Sequence, residues 1–145
     1  MIENPVTGER IEFLRTAADT GGELLELEDT WTRRGHRTRE HRHPGMEERF
    51  EVLSGTAAFR IAGEERTAGP GEVVVVPAGT PHLAWNPTDE PVRLRVEFRP
   101  ALRWQAFVEE IFALAAAGRV DERGVPEPAE LARLMREYPD ELAPA

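Results

Sequence analysis

The sequence predicts an all-β body followed by a helical tail of about two helices. Two observations carry that prediction. Up to residue 99 the apolar residues fall in short runs, several with strict alternation, and Gly, Pro, Asn and Asp separate the runs. After Pro100 the apolar spacing becomes that of a helix. Residues 1–100 are read as the β body and 101–145 as a helical extension packed on it or on a partner subunit, one domain overall.

Residues 2–8, with Asn4-Pro5 and Thr7-Gly8, read as an irregular lead-in. Residues 10–15 (RIEFLR) alternate as a strand, and Thr20-Gly21-Gly22 marks a turn. Residues 23–31 form the next strand, with Leu25, Leu27, Asp29 and Trp31 on one face and Glu26, Glu28 and Thr30 on a wet one. Arg33-Arg34-Gly35 breaks it. Residues 49–53 and 56–62 read as two strands joined near Ser54-Gly55, with a hairpin turn at Gly63-Glu64-Glu65. The four valines at 73–76 read as a strand covered on both faces. Pro77-Ala78-Gly79-Thr80-Pro81 is a stiff turn leading into a short strand that starts at His82. Residues 92–98 alternate Val92, Leu94, Val96 and Phe98 inward against charged neighbours. In the tail, residues 101–117 carry apolar side chains at 104, 107, 108, 111, 112 and 115, and Gly118 terminates them. Glu127-Pro128 opens a second helical pattern with Leu131, Leu134, Met135 and Tyr138, which Pro139 stops. Neither helix can bury its stripe alone.

Composition removes several kinds of chemistry. The chain has 145 residues and a net charge of −9, which argues against neutralising nucleic-acid phosphates. It has no cysteine, so thiol nucleophiles, thiolate metal sites and disulfides are excluded. All 18 basic residues are arginine, so a lysine Schiff base is excluded too. No apolar run is long enough to cross a bilayer, and no basic leader precedes an apolar core, so a cytoplasmic location is expected.

The chemistry concentrates in two stretches, Gly35 to Gly55 and Gly71 to Asn86, which hold all four histidines: His36, His41, His43 and His82. His41 and His43, two apart, share a face if the chain is extended there. Pro44-Gly45 turns the chain, and Glu48 opens a run in which Glu48, Phe50 and Val52 share a face. Three imidazoles and a carboxylate make a mixed N/O set suited to one divalent ion such as Mn, Fe, Ni, Cu or Zn. His36 reads as a surface or loop residue, and Glu47, of opposite parity to Glu48, as solvated. Arg37 and Arg39 share the parity of the histidines. If the strand reaches that far back, Arg39 points inward and could hold a carboxylate or enolate; otherwise it is a surface charge. Leu53 and Trp85 have the parity of a subunit contact. Trp104 and Phe107 read first as packing between helix and body, and second as a roof over the mouth of a pocket. Candidate substrate contacts are therefore Arg39, Phe50, Phe98 and Trp104.

The two stretches resemble the paired motifs of the cupin superfamily. The first motif is matched by Gly35, His41, His43, Glu48 and Gly55, and the second by Gly71, Pro77, Gly79, His82 and Asn86, with no misfit in either. The resemblance covers roughly residues 10–99. It implies a jelly-roll β-barrel (a double-stranded β-helix), a metal held by His41, His43, Glu48 and His82, and turn-forming roles for the glycines, Pro77 and Asn86. It also makes a homodimer the expected assembly. It does not imply one reaction, because the fold hosts many.

Four protein ligands leave one or two positions open on an ion that accepts five or six, an arrangement of the catalytic kind. The expected function is a mononuclear metal-dependent enzyme of dioxygenase type acting on a small organic molecule, with Glu48 a possible base as well as a ligand. The alternatives are redox-neutral isomerase, lyase or decarboxylase chemistry, and a non-catalytic metabolite-binding protein.

Overall fold

A computed structural model describes residues 1–36 and 39–145; Arg37 lies outside the described residues. Two antiparallel sheets face each other across an apolar core, and helices follow at the C-terminal end. The first sheet contains β1 (Ile2–Glu3), β2 (Arg10–Arg15), β3 (Leu25–Trp31), β6 (Glu47–Ser54), β9 (Val73–Val76) and β11 (Val92–Arg99). Its order is β1-β2-β3-β11-β6-β9. The second contains β4 (Gly35–His36), β5 (His41–Arg42), β7 (Ala57–Ile61), β8 (Glu64–Ala68), β10 (His82–Asn86) and β12 (Ala143–Pro144). It runs β12-β5-β10-β7-β8, with β4 also on β10. The helices are α1 (Ala17–Thr20), α2 (Trp104–Ala116) and α3 (Pro128–Glu137).

The alternating runs explain the two faces. On β3 the residues 25, 27, 29 and 31 are buried and those between them are half-buried. On β11 Val92, Leu94, Val96 and Phe98 are all at most 2% exposed. β6 lies between β11 and β9, so Glu48 is backed by Phe98 on one side and Val76 on the other. A carboxylate on such an interior strand has little backbone freedom, which is what a ligand position needs.

Four expectations are corrected. The lead-in is not wholly irregular: Ile2 and Glu3 pair with β2. Glu64 and Glu65 are not in the hairpin turn but begin β8; the turn is Ala62-Gly63, with Ala62 at φ 50° and Gly63 at φ 84°. The run Val73–Val76 is not covered on both faces: Val74 and Val76 are buried, whereas Val73 is 38% and Val75 45% exposed. A run of apolar residues cannot show which face lacks a covering layer. The turn at residues 20–22 is preceded by one helical turn, α1. There Thr16 and Asp19 form a capping box, each side chain accepting the other's backbone N–H, and Gly21 ends the turn in the left-handed conformation. A period cannot reveal four residues; the Thr-x-x-Asp spacing was the available signal.

Gly55 is required where it stands. Its φ is +82°, and a Cβ there would lie 2.4 Å from the carbonyl oxygen of Pro91. Gly55→Ala should therefore destabilise the fold by about 2–4 kcal/mol, combining left-handed strain with a backbone clash. A denaturant midpoint within experimental error of wild type would contradict this.

The tail packs on the sheets. α2 buries Phe107, Val108, Phe112 and Ala115. α3 starts at a proline, which tolerates the missing N–H there, and buries Leu134. The Tyr138 hydroxyl donates to Glu110 Oε2 at 2.6 Å and joins the end of α3 to α2. The phenol, donating to that carboxylate and partly buried, is pushed up to about 12. Beyond α3 the chain returns to the second sheet, where Ala143 and Pro144 pair with Arg42 and His41. Nothing in the sequence pattern indicated this last strand.

Candidate metal centre

His82 opens β10, which lies between β7 and β5, and its direct cross-strand partner on β5 is His41. Facing side chains on paired strands are within contact distance, and these two rings lie 4.5 Å apart between centroids. His43 follows β5, past its last paired residue. Its ring is 4.9 Å from His41 and 4.9 Å from His82. The turn of the second stretch fixes this position: the Gly79 N–H donates to the His43 carbonyl at 2.8 Å, and Gly79 has the positive φ, 78°, that the turn needs. The two stretches are thus hydrogen-bonded to each other at the site.

Each Nδ1 faces a backbone carbonyl and so donates to it. His41 donates to Arg39 O at 2.8 Å, His43 to Glu141 O at 2.8 Å, and His82 to Thr80 O at 2.9 Å. That pattern sets the tautomer and leaves the Nε2 lone pairs for coordination. A ligating nitrogen of all three rings can be chosen so that they lie within 4.8 Å of one another. Nε2 of His43 and of His82 lie 3.0 and 3.1 Å from Glu48 Oε1.

Those spacings test whether a metal fits. With both Nδ1 atoms carrying hydrogen, two Nε2 lone pairs and a carboxylate oxygen at 3 Å repel unless a proton or a cation lies among them. Neighbouring ligands at a right angle, each about 2.1 Å from one ion, stand about 3.0 Å apart. The donors therefore fit a divalent ion. The electrostatics follow from the same contacts. Burial raises the Glu48 carboxyl, but the hydrogen bonds from His43 and His82 outweigh it and hold the group down at about 2. Desolvation, reinforced by the other two imidazoles, pushes His41 down to about 4, in the neutral form a metal requires. For His82 desolvation acts downward, but its hydrogen bond and charge contact with Glu48 win, and the ring is raised.

The motif's other polar residue is structural. Asn86 is fully buried; its amide donates to Glu90 O at 2.8 Å and accepts from Thr88 N at 2.9 Å. It closes the turn into β11.

A family model described as "Cupin domain" matches residues 33–98. These residues form a cupin domain. The match spans both stretches and leaves α2, α3 and β12 outside. Among solved structures the cupin fold of this chain is similar to KdgF from a Halomonas species, with 23% identity, 64% of this chain and 79% of that chain covered, and a TM-score of 0.56. It is similar to the cupin domain of an XRE-family transcriptional regulator from Enterobacter cloacae, with 21% identity, 63% and 95% coverage, and a TM-score of 0.55. It is also similar to a sugar phosphate isomerase of a cupin superfamily from Silicibacter pomeroyi, with 22% identity, 61% and 59% coverage, and a TM-score of 0.52. No curated protein sequence matches. At these identities the likeness concerns the fold alone.

A cavity of about 500 Å³ opens beside the cupin histidines, and His41, His43, His82 and Glu48 lie in its wall. All four candidate substrate contacts, Arg39, Phe50, Phe98 and Trp104, line it as well. Arg39 does so for another reason than strand parity. β5 begins only at His41, and Arg39 is an exposed coil residue at the rim. Trp104 and Phe107 pack against the core and line the cavity. Trp104 lies edge-on to His43 at 4.8 Å and stacks on Phe107 at 4.9 Å, and both face the cavity. The backbone of His36 pairs with Trp85, away from the three-imidazole cluster. Sequence reasoning missed the contribution of the last residues of the chain. The Glu141 carbonyl orients His43, and the Gly45 N–H donates to Asp140 O at 2.8 Å.

Proposed function

We propose that this chain is a mononuclear metal-dependent cupin enzyme of dioxygenase type acting on a small organic molecule. The observation that carries the reading is the clustering of three Nδ1-anchored imidazoles in the wall of a cavity, two of them facing the buried Glu48 carboxylate. His41, His43, His82 and Glu48 are the residues that would hold the ion. A bound divalent ion would supply Lewis acidity toward a carbonyl or enolate oxygen and, if redox-active as Fe(II) is, the electrons that dioxygen chemistry needs. The protein's part is positioning and exclusion of water. Phe98 and Trp104 close the side of His43 against solvent, and Arg39 at the rim can meet a carboxylate. Glu48, held near 2, is a weak base while it faces His43 and His82, which favours its role as a ligand. A homodimer and a cytoplasmic setting belong to the same proposal; the exposed Val73 and Val75 on edge strand β9 supply apolar surface for a second subunit.

The test is dioxygen consumption by protein loaded in turn with Fe(II), Mn(II), Ni(II), Cu(II) and Zn(II), against a panel of enolic and phenolic compounds. Uptake with at least one metal, abolished in His82→Ala, is the expected result; no uptake with any metal overturns it. The redox-neutral reading is supported by the isomerase among the similar folds, and turnover without oxygen would establish it. Retention of an unchanged compound would instead identify a binding protein.

A further inference from the structure

We propose that the cavity selects a predominantly apolar molecule, aliphatic or aromatic, with one oxygen-bearing head group at the histidines, and that it rejects sugar phosphates. Only the head group's placement rests on the metal reading; the selectivity of the walls does not.

One wall comes from the sheets: Leu27, Phe50, Val96 and Phe98, each at most 4% exposed. The opposite wall comes from the tail: Phe107, Ile111 and Phe112 of α2, with Leu131 and Met135 of α3. At about 500 Å³ the cavity has the size of a small-molecule site. Side chains of this kind offer a ligand no hydrogen bonds, so each hydroxyl buried against them loses its water without compensation. Apolar carbons gain there instead.

The polar lining completes the argument. Besides the histidines and Glu48 it contains Glu9, Asp29 and Glu40, and among the described residues one cation, Arg39. The Asp29 carboxylate accepts from Trp31 Nε1 at 3.0 Å. A phosphoryl group carries a charge of about −1.5 to −2 at neutral pH. The apolar walls replace none of the water it loses on entering. A monoanionic or neutral oxygen head group needs only the cation held by the histidines.

The experiment measures calorimetric affinities for butano-, hexano-, octano- and decanohydroxamate, with glucose 6-phosphate as the contrast, on metal-loaded and metal-free protein. Affinity should rise about fourfold per methylene until the cavity fills. The slope should be the same in both forms, while the loaded form binds every member more tightly. Ile111→Trp on α2 and Leu131→Trp on α3 should each shorten the longest chain accepted. A flat series in both forms overturns the proposal. So does glucose 6-phosphate binding more tightly than octanohydroxamate, or an unchanged chain-length limit in both variants. If the protein takes up no metal yet the slope persists, the enzymatic reading falls and this proposal stands.

Discussion

Replacing His43 with alanine should reduce bound divalent metal from about one ion per chain to a trace, with affinity lowered by more than ~100-fold. Loss of a residue that merely orients a ligand costs about 10–100-fold, and removal of a ligand exceeds that. His43 is the most constrained of the three imidazoles. It is 2% exposed, anchored at Nδ1 by Glu141 O, faced at Nε2 by Glu48, and flanked by Trp104 and Phe98. Elemental analysis of the purified variant checks the prediction, with circular dichroism confirming that it folds. His36→Ala, outside the ligand set by motif spacing, should keep full metal content. In the wild type, a metal at a hundred times its dissociation constant should raise the melting temperature by about 5–10 °C. A chelator should remove that increment, and the His43→Ala variant should show none. Full metal content in the variant would remove the basis for the site.

Deleting residues 140–145 should weaken metal binding about 10–100-fold while leaving all four proposed ligand side chains in place. These last residues hold the ligand strand from outside the motifs. Asp140 O accepts from Gly45 N, Glu141 O accepts from His43 Nδ1, and Ala143 and Pro144 pair with β5. Without the Glu141 carbonyl, nothing sets which nitrogen of His43 carries its proton, and the ring can turn or present the wrong one. Glu141→Gln separates this from a charge effect: it keeps the carbonyl and should bind metal about as well as wild type. Competition against a chromophoric chelator reads both variants. Wild-type affinity in the truncated protein would show that the tail does not position the ring.

The legible part of the site was its candidate ligand set. His41, His43, Glu48 and His82 could be chosen because their spacing reports local geometry and because Pro44-Gly45 and Pro77 to Pro81 force turns between them. The strands of clean alternation, residues 25–31 and 92–98, were equally readable, because a half-covered strand writes its two faces into its sequence. Readability failed where the deciding fact lay elsewhere in the chain. Whether Val73 and Val75 are covered depends on a neighbouring layer, and the strand status of Ala143 and Pro144 depends on a partner edge presented by β5. Arg39 reached the cavity without strand parity, through the coil that precedes β5.

The residue types and spacings by themselves determined that this chain is mostly β with a helical end, and that three imidazoles and one acid are its metal-binding candidates. Only the tertiary structure decided that α2 and α3 form the second wall of the cavity and that a carbonyl 98 residues from His43 anchors its ring. The reason is physical: periodicity and turn chemistry act over a few residues, whereas a cavity wall and an orienting carbonyl exist only when distant segments are brought together by burial.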